Sequence, residues 1–101
     1  MKNIILACAA GMSTSLLVKK MKNAAEEKGI EAHIEAMPVN AVASYEGEID
    51  VLLLGPQVQY LYEDVKQKYE PRGIKVAVIS MMDYGMMNGV KVLDDACAMI
   101  G

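Results

Sequence analysis

Cys8 is the residue in this chain best placed to do chemistry. It closes the apolar run Ile4-Ile5-Leu6-Ala7 and opens the stretch Cys8-Ala9-Ala10-Gly11-Met12-Ser13-Thr14-Ser15-Leu16-Leu17. The apolar run reads as a strand of a parallel sheet covered on both faces. Ala9, Ala10, Gly11 and Met12 bring little bulk to the turn that follows, and Gly11 can take positive φ cheaply. Ser13, Thr14 and Ser15 then offer N-cap hydroxyls to a helix that carries on through Leu16 and Leu17. The expected product is a thiol facing backbone N–H groups at a helix N-terminus, where an anion can bind. No charged side chain stands between Asn3 and Val18. Backbone dipoles would therefore have to do the binding.

A thiolate is the nucleophilic form of cysteine, and helix N-termini favour it. Attack on phosphorus suits such a site, because the same N–H groups hold the anionic product. Cysteine phosphatases also place their nucleophile after a strand, but they need an arginine six positions on, and residue 14 here is Thr14. Without that guanidinium the hydrolytic transition state loses its fixed charge. Asp83, beside Tyr84, is a candidate general acid, yet one acid without the arginine leaves a phosphatase incomplete. The loop is equipped to accept and hold a phosphoryl group and poorly equipped to lose it to water.

The elements that must position this loop follow from the periodicity. Leu17, Val18, Met21, Ala24 and Ala25 form one helical face over about 14–28, and Gly29 suits the position just past the helix end. Ile30 to Met37 alternates as a half-buried edge strand that Pro38 ends, with Glu31, His33 and Glu35 outward. Asn40 to Tyr45 predicts a short helix. Asp50 to Leu54 is a second continuous apolar strand, stopped by Gly55-Pro56 and followed by Gln57. A helix over 58–69 carries Val58, Leu61, Tyr62, Val65 and Tyr69 inward, with Asp64 and Lys68 paired on its outer side. Ile74 to Ile79 gives a fourth strand, and Met81 to Met87 a Met-rich loop. The last helix places Val90, Leu93, Ala96, Cys97 and Ile100 on its buried stripe.

Four βα units imply an α/β fold with a four-stranded parallel open sheet and helices on both faces, of the flavodoxin-like or low-molecular-weight-phosphatase-like kind. The first and third strands are apolar throughout and belong in the middle, so the expected order is 2-1-3-4. The topological switch then lies between them, at Cys8 with its loop and at Gly55-Pro56-Gln57, where open α/β sheets bind ligands. Loop chemistry and strand order point to the same place. Gln57, Asp83 and Tyr84 are the candidates to line it.

The 101 residues fit one domain spanning 1–101, and 53% apolar content excludes disorder. A net charge of −3 without a basic, aromatic-interleaved patch argues against nucleic acid. No signal peptide or membrane-length apolar run is seen, and Cys8 and Cys97 lack metal spacing, so a reduced cytoplasmic protein is expected.

The Cys8–Leu17 motif, then Leu53-Leu54-Gly55-Pro56-Gln57, then Asp83-Tyr84-Gly85, resembles the enzyme IIB component of the bacterial sugar phosphotransferase system, of the lactose/cellobiose/chitobiose type. The resemblance runs along essentially the whole chain. It implies that Cys8 takes a phosphoryl group from a phosphohistidine on a IIA partner and passes it to a sugar bound by the membrane IIC permease. Residues Ala9, Ala10, Gly11, Met12, Ser13, Thr14 and Ser15 would cradle the phosphate. No metal or nucleotide cofactor is implied, and a monomer docking its partners transiently is expected. The chain's length leans toward the cellobiose and chitobiose side of the group.

Other readings stand beside these. A small cysteine-dependent phosphatase or a non-catalytic interaction module would use the same fold. Cys97 reads as a core residue and His33 as a solvated strand residue rather than a phosphoryl relay. The methionines of 81–87 read as core filler, with an adaptable docking surface as the alternative.

Overall fold

A computed structural model of the chain describes residues 2–9 and 14–100. Its four strands are β1 (Lys2–Cys8), β2 (Ala32–Pro38), β3 (Val51–Leu54) and β4 (Lys75–Val78). They form one all-parallel sheet in the order β2-β1-β3-β4. The helices are α1 (Thr14–Lys28), α2 (Val39–Val42), α3 (Tyr62–Tyr69), α4 (Met81–Gly85) and α5 (Gly89–Ile100).

The continuous apolar strands sit in the centre because both of their faces are covered. Ile4 and Leu6 of β1 pack with Val51 and Leu53 of β3 under α1 and α5. Ile5 and Ala7 pack with Leu52 and Leu54 on the opposite face, together with Val65 and Tyr69 of α3. Leu17, Val18, Met21, Ala24 and Ala25, the expected face of α1, are all buried. That helix ends as a full Schellman motif. Gly29 stands at φ +69°, its N–H donates to the Glu26 carbonyl, and the Ile30 N–H donates to the Ala25 carbonyl.

Several boundaries differ from the sequence expectation. β2 starts at Ala32 and includes Pro38, which an edge strand tolerates at its end. The helix after β2 is only Val39–Val42. Gly55-Pro56 leads into a 3₁₀ segment, Pro56–Leu61, broken at Val58 (φ −119°, ψ 22°), so α3 proper begins only at Tyr62. Asp64 and Lys68 do not come within ion-pair distance; Lys68 lies over the Tyr69 ring, and the i,i+4 pair among the described residues is Lys91–Asp95 on α5.

The Met-rich segment contains a one-turn helix, α4, because the Ser80 side chain accepts a hydrogen bond from the Asp83 N–H and caps it. Met81, Met82 and Met86 are more than 70% exposed, which overturns the core-filler reading for these three; only Met87 of the segment's methionines packs on the core. On α5 the buried stripe is Val92, Leu93 and Ala96, and Val90 faces outward. Gly89 sets that phase. A Cβ there would stand 2.6 Å from the Lys20 carbonyl carbon and 2.7 Å from the Met21 backbone nitrogen, so only glycine lets α5 approach α1 this closely.

Candidate functional site

Cys8 is the last residue of β1, level with Pro38 on β2, while Ala7 is level with Leu54 on β3. Its side chain is 5% exposed, more enclosed than a thiol on a surface loop would be. The Sγ lies 3.8 Å from the Met37 carbonyl oxygen and donates to it. Pro38 helps to set that acceptor: it restrains Met37 to an extended backbone, and it has no N–H to carry the ladder further. Nothing in the local sequence around Cys8 signalled this carbonyl, because the contact depends on the register between β1 and β2.

α1 begins at Thr14, six residues beyond the end of β1 and so at the carboxyl edge of the sheet. Its first turn carries no acidic side chain. The first backbone N–H groups of a helix have no partner within it, so an anion near this end meets both donors and the positive end of the helix dipole. Thr14 and Ser15 are the first two residues of α1. Ala10, Gly11, Met12 and Ser13 lie outside the described residues, as does the Thr14 side chain. Ala9 is half-buried, and Ser15 is exposed.

The second wall of the crevice is Gly55-Pro56-Gln57. The Gly55 N–H donates to the Ala7 carbonyl at 2.9 Å, extending the β1–β3 pairing one residue past Leu54. Gly55 has an ordinary φ of −65°, so space rather than conformation selects glycine here. A Cβ on it would lie 3.6 Å from the Cys8 Cβ and 2.5 Å from Gln57 Oε1. Gln57 therefore folds its amide back over Gly55, beside Cys8, and its Oε1 is buried with no hydrogen-bond partner.

The remaining two candidates part company. Asp83 turns toward α5, where its carboxylate lies 3.8 Å from Lys91 Nζ, and it lines an apolar cavity of about 400 Å³ between β4 and α5 with Met82, Asp95 and Met99. No described contact brings it to Cys8. Tyr84 packs against the core on the α1–α5 side, and its hydroxyl is buried without a partner. His33 is level with Asn3, at the opposite end of β1 from Cys8, with Nε2 3.6 Å from Glu35 Oε1. Cys97 is half-buried against the α1–α5 core, and both cysteines are thiols. No group of three or more His, Cys, Asp or Glu among the described residues could hold a metal. No described helix is long and apolar enough to cross a membrane.

Fold and site together define a flavodoxin-like parallel α/β domain with a cysteine at its topological switch point. Residues 3–95 match the family model of the lactose/cellobiose-specific IIB subunit of the PTS, the phosphotransferase system. The chain belongs to that family. It is 52% identical over 97 aligned positions to the galactose-specific EIIB component of Lactococcus lactis subsp. cremoris, covering 91% of this chain and 90% of that protein. It is 41% identical to the oligo-beta-mannoside-specific EIIB component of Bacillus subtilis, covering 99% and 97%. Among solved structures, the cellobiose-specific IIB component of Borrelia burgdorferi superposes with a TM-score of 0.80 at 39% identity, covering 98% of this chain and 91% of that one. Membership makes the protein a phosphotransferase component of lactose/cellobiose type, working in sugar uptake.

Proposed function

We propose that Cys8 is the phosphoryl-carrying residue: it takes the group from a phosphohistidine on a IIA protein and delivers it to a sugar held by the membrane IIC component. The observation that carries this reading is the placement of Cys8. It is a thiol at the carboxyl end of a central strand, in the switch-point crevice, with the acid-free first turn of α1 close by in the chain.

The thiol first gives up its proton to solvent, which ends its hydrogen bond to the Met37 carbonyl. Sγ then attacks phosphorus in line. The S–P bond forms as the P–N bond to imidazole breaks, and the departing electron pair goes to the ring nitrogen, which is protonated. Backbone donors from Ala9 to Ser15 face the phosphoryl oxygens and stabilise their charge. In the onward step a sugar hydroxyl oxygen attacks phosphorus, gives up its proton, and the thiolate leaves.

Gln57 supports this cradle. Its amide folds over Gly55 beside Cys8, and its NH2 group, once turned toward the crevice, donates to a phosphoryl oxygen; the buried orphan Oε1 is itself an acceptor and takes no part in that contact. The Tyr84 hydroxyl, the second buried orphan, follows the carboxyl end of β4 and is the weaker candidate. Asp83 is engaged by Lys91 and acts in α4–α5 packing. Residues 1–101 then work as one cytoplasmic IIB domain, monomeric between encounters and drawn to the membrane only through IIC. No metal or nucleotide takes part. The EIIB relatives bear galactose and oligo-beta-mannoside in their names, which supports a sugar choice made outside this chain.

The test is phosphorylation with phosphoenolpyruvate, the general phosphotransfer proteins and a IIA protein. Intact mass is expected to rise by one phosphoryl group in the wild type and in Cys97→Ser, and to stay unchanged in Cys8→Ser. A phosphoryl group on His33 would refute the assignment. So would steady hydrolysis of p-nitrophenyl phosphate that Cys8→Ser abolishes.

A further inference from the structure

A groove of about 360 Å³ runs between α1 and the edge strand β2, lined by Ser15, Lys19, Lys22, His33, Glu35 and Ala36 among others. It starts at Ser15 and Ala36, toward the nucleophile end of the sheet, and runs down toward Lys22 and His33. The eight residues from Ser15 to Lys22 span about 10 Å of helix.

Lys19 and Lys22 of this groove are exposed, and neither is in a described ion pair. The lysines nearer α5 behave differently: Lys28 pairs with Asp94, and Lys91 with Asp95 and Asp83. Lys19 and Lys22 share the groove with Glu35, which contacts His33 at 3.6 Å, so lysines outnumber carboxylates there on a chain whose net charge is −3.

We propose that this groove receives an acidic surface of the phosphodonor protein and steers its phosphohistidine toward Cys8. The proposal rests on the reading of Cys8 given above. Three observations single out the donor among possible occupants. Lipid-binding basic clusters usually hold four to eight lysines or arginines, whereas this groove has two lysines on an acidic protein. Cytoplasmic loops of membrane proteins are enriched in lysine and arginine, so a permease would meet this face with like charge. A donor carrying a phosphoryl group brings negative charge to its own contact face, and the groove opens where that group must arrive.

The experiment measures transfer from phosphorylated IIA protein at several salt concentrations, comparing wild type with Lys19→Glu/Lys22→Glu and with Lys75→Glu on β4 as a control. Charge reversal is expected to lower the second-order rate about tenfold at low salt, at the lower end of electrostatic steering, and to flatten its salt dependence. The rate at saturating donor should stay at the wild-type value. An unchanged second-order rate overturns the proposal, and so does an equal loss in the control. Sedimentation of wild type, but not the double variant, with phosphatidylglycerol vesicles would reassign the groove to the membrane. Docking is also read without chemistry, by titrating unphosphorylated IIA into Cys8→Ser protein with and without the charge reversal. Weakened binding there upholds the groove even if Cys8 proves not to be the acceptor, whereas unchanged binding removes it even if Cys8 is.

Discussion

Gly55 holds open the space that the Gln57 amide occupies: a single methyl added at Gly55 would come within 2.5 Å of Gln57 Oε1 and 3.6 Å of the Cys8 Cβ. The atom that would be struck is the end of a flexible side chain, so Gly55→Ala should swing the amide away and leave the backbone in place. If the Gln57 amide helps to hold the phosphoryl group, Gly55→Ala and Gln57→Ala will slow phosphorylation of Cys8 by similar factors, about tenfold for one lost hydrogen bond to a charged group. The double variant should be no slower than either single one, because both remove the same contact. Single-turnover transfer followed by intact mass decides this. Additive losses would separate Gly55 from Gln57.

The sheet order was legible because burial leaves a clear mark on strands. Ile4 to Ala7 and Val51 to Leu54 lack polar positions and can only be covered on both sides, and they are the two central strands. The N-terminal anchor of the site, Cys8 followed by a helix, was legible for the same reason. The position of Gln57 was only half so: the switch point could be placed from strand order, but the folding back of the amide depends on the 3₁₀ turn that Pro56 begins. Of the expected α5 stripe only Val90 was misplaced: Leu93 and Ala96 are buried and Cys97 and Ile100 pack on the core, but Val92 is buried where Val90 was expected. Packing chose between them, through the contact of Gly89 with α1. Asp83 looked like a site residue from its neighbours in sequence, and its nearest charge turned out to be Lys91, eight residues on.

That Gly89 contact makes a stability prediction. The atoms a Cβ would strike are Lys20 and Met21 backbone, which cannot give way without moving α1. Gly89→Ala should therefore destabilise the fold by about 1–3 kcal/mol, as overpacking does, despite the better helix propensity of alanine. Urea denaturation of wild type and variant measures it. A stabilised variant would mean that α1 and α5 can separate freely.

Lys91 gives a pH dependence. Its pKa is raised above 10.5, first by the hydrogen bond to Asp95, then by the charges of Asp95 and Asp83. A lysine whose folded pKa lies above its unfolded value contributes stability that is fully present below the unfolded pKa and is lost as pH rises through the folded one. The denaturation midpoints of wild type and Lys91→Met should thus differ at pH 8 and converge as pH rises past 10.5. The pair is exposed and screened, so added salt should narrow the gap at pH 8. A gap that persists unchanged into alkali would assign the effect to packing of the lysine stem.

Exposed apolar side chains gather where β1, β3 and β4 end. Leu16 follows β1, Tyr60 follows β3, and Met81 and Met82 follow β4, with Tyr60 at 77% and Met82 at 73% exposure. Side chains of this size left in water at the carboxyl edge of the sheet suit a surface that two different partners cover in turn, and methionine can repack against each. Tyr60→Ala and Met82→Asp should raise the KM for the donor about tenfold, the effect of losing an interface anchor, with the rate at saturation close to wild type. Since neither side chain is buried, the urea midpoint should hold to within about 0.5 kcal/mol. The two partners need not lean on the same anchors, so the comparison that matters is between acceptance from the donor and delivery to sugar in permease-containing vesicles. Loss of delivery alone in Met82→Asp would assign α4 to the permease and leave the donor to α1.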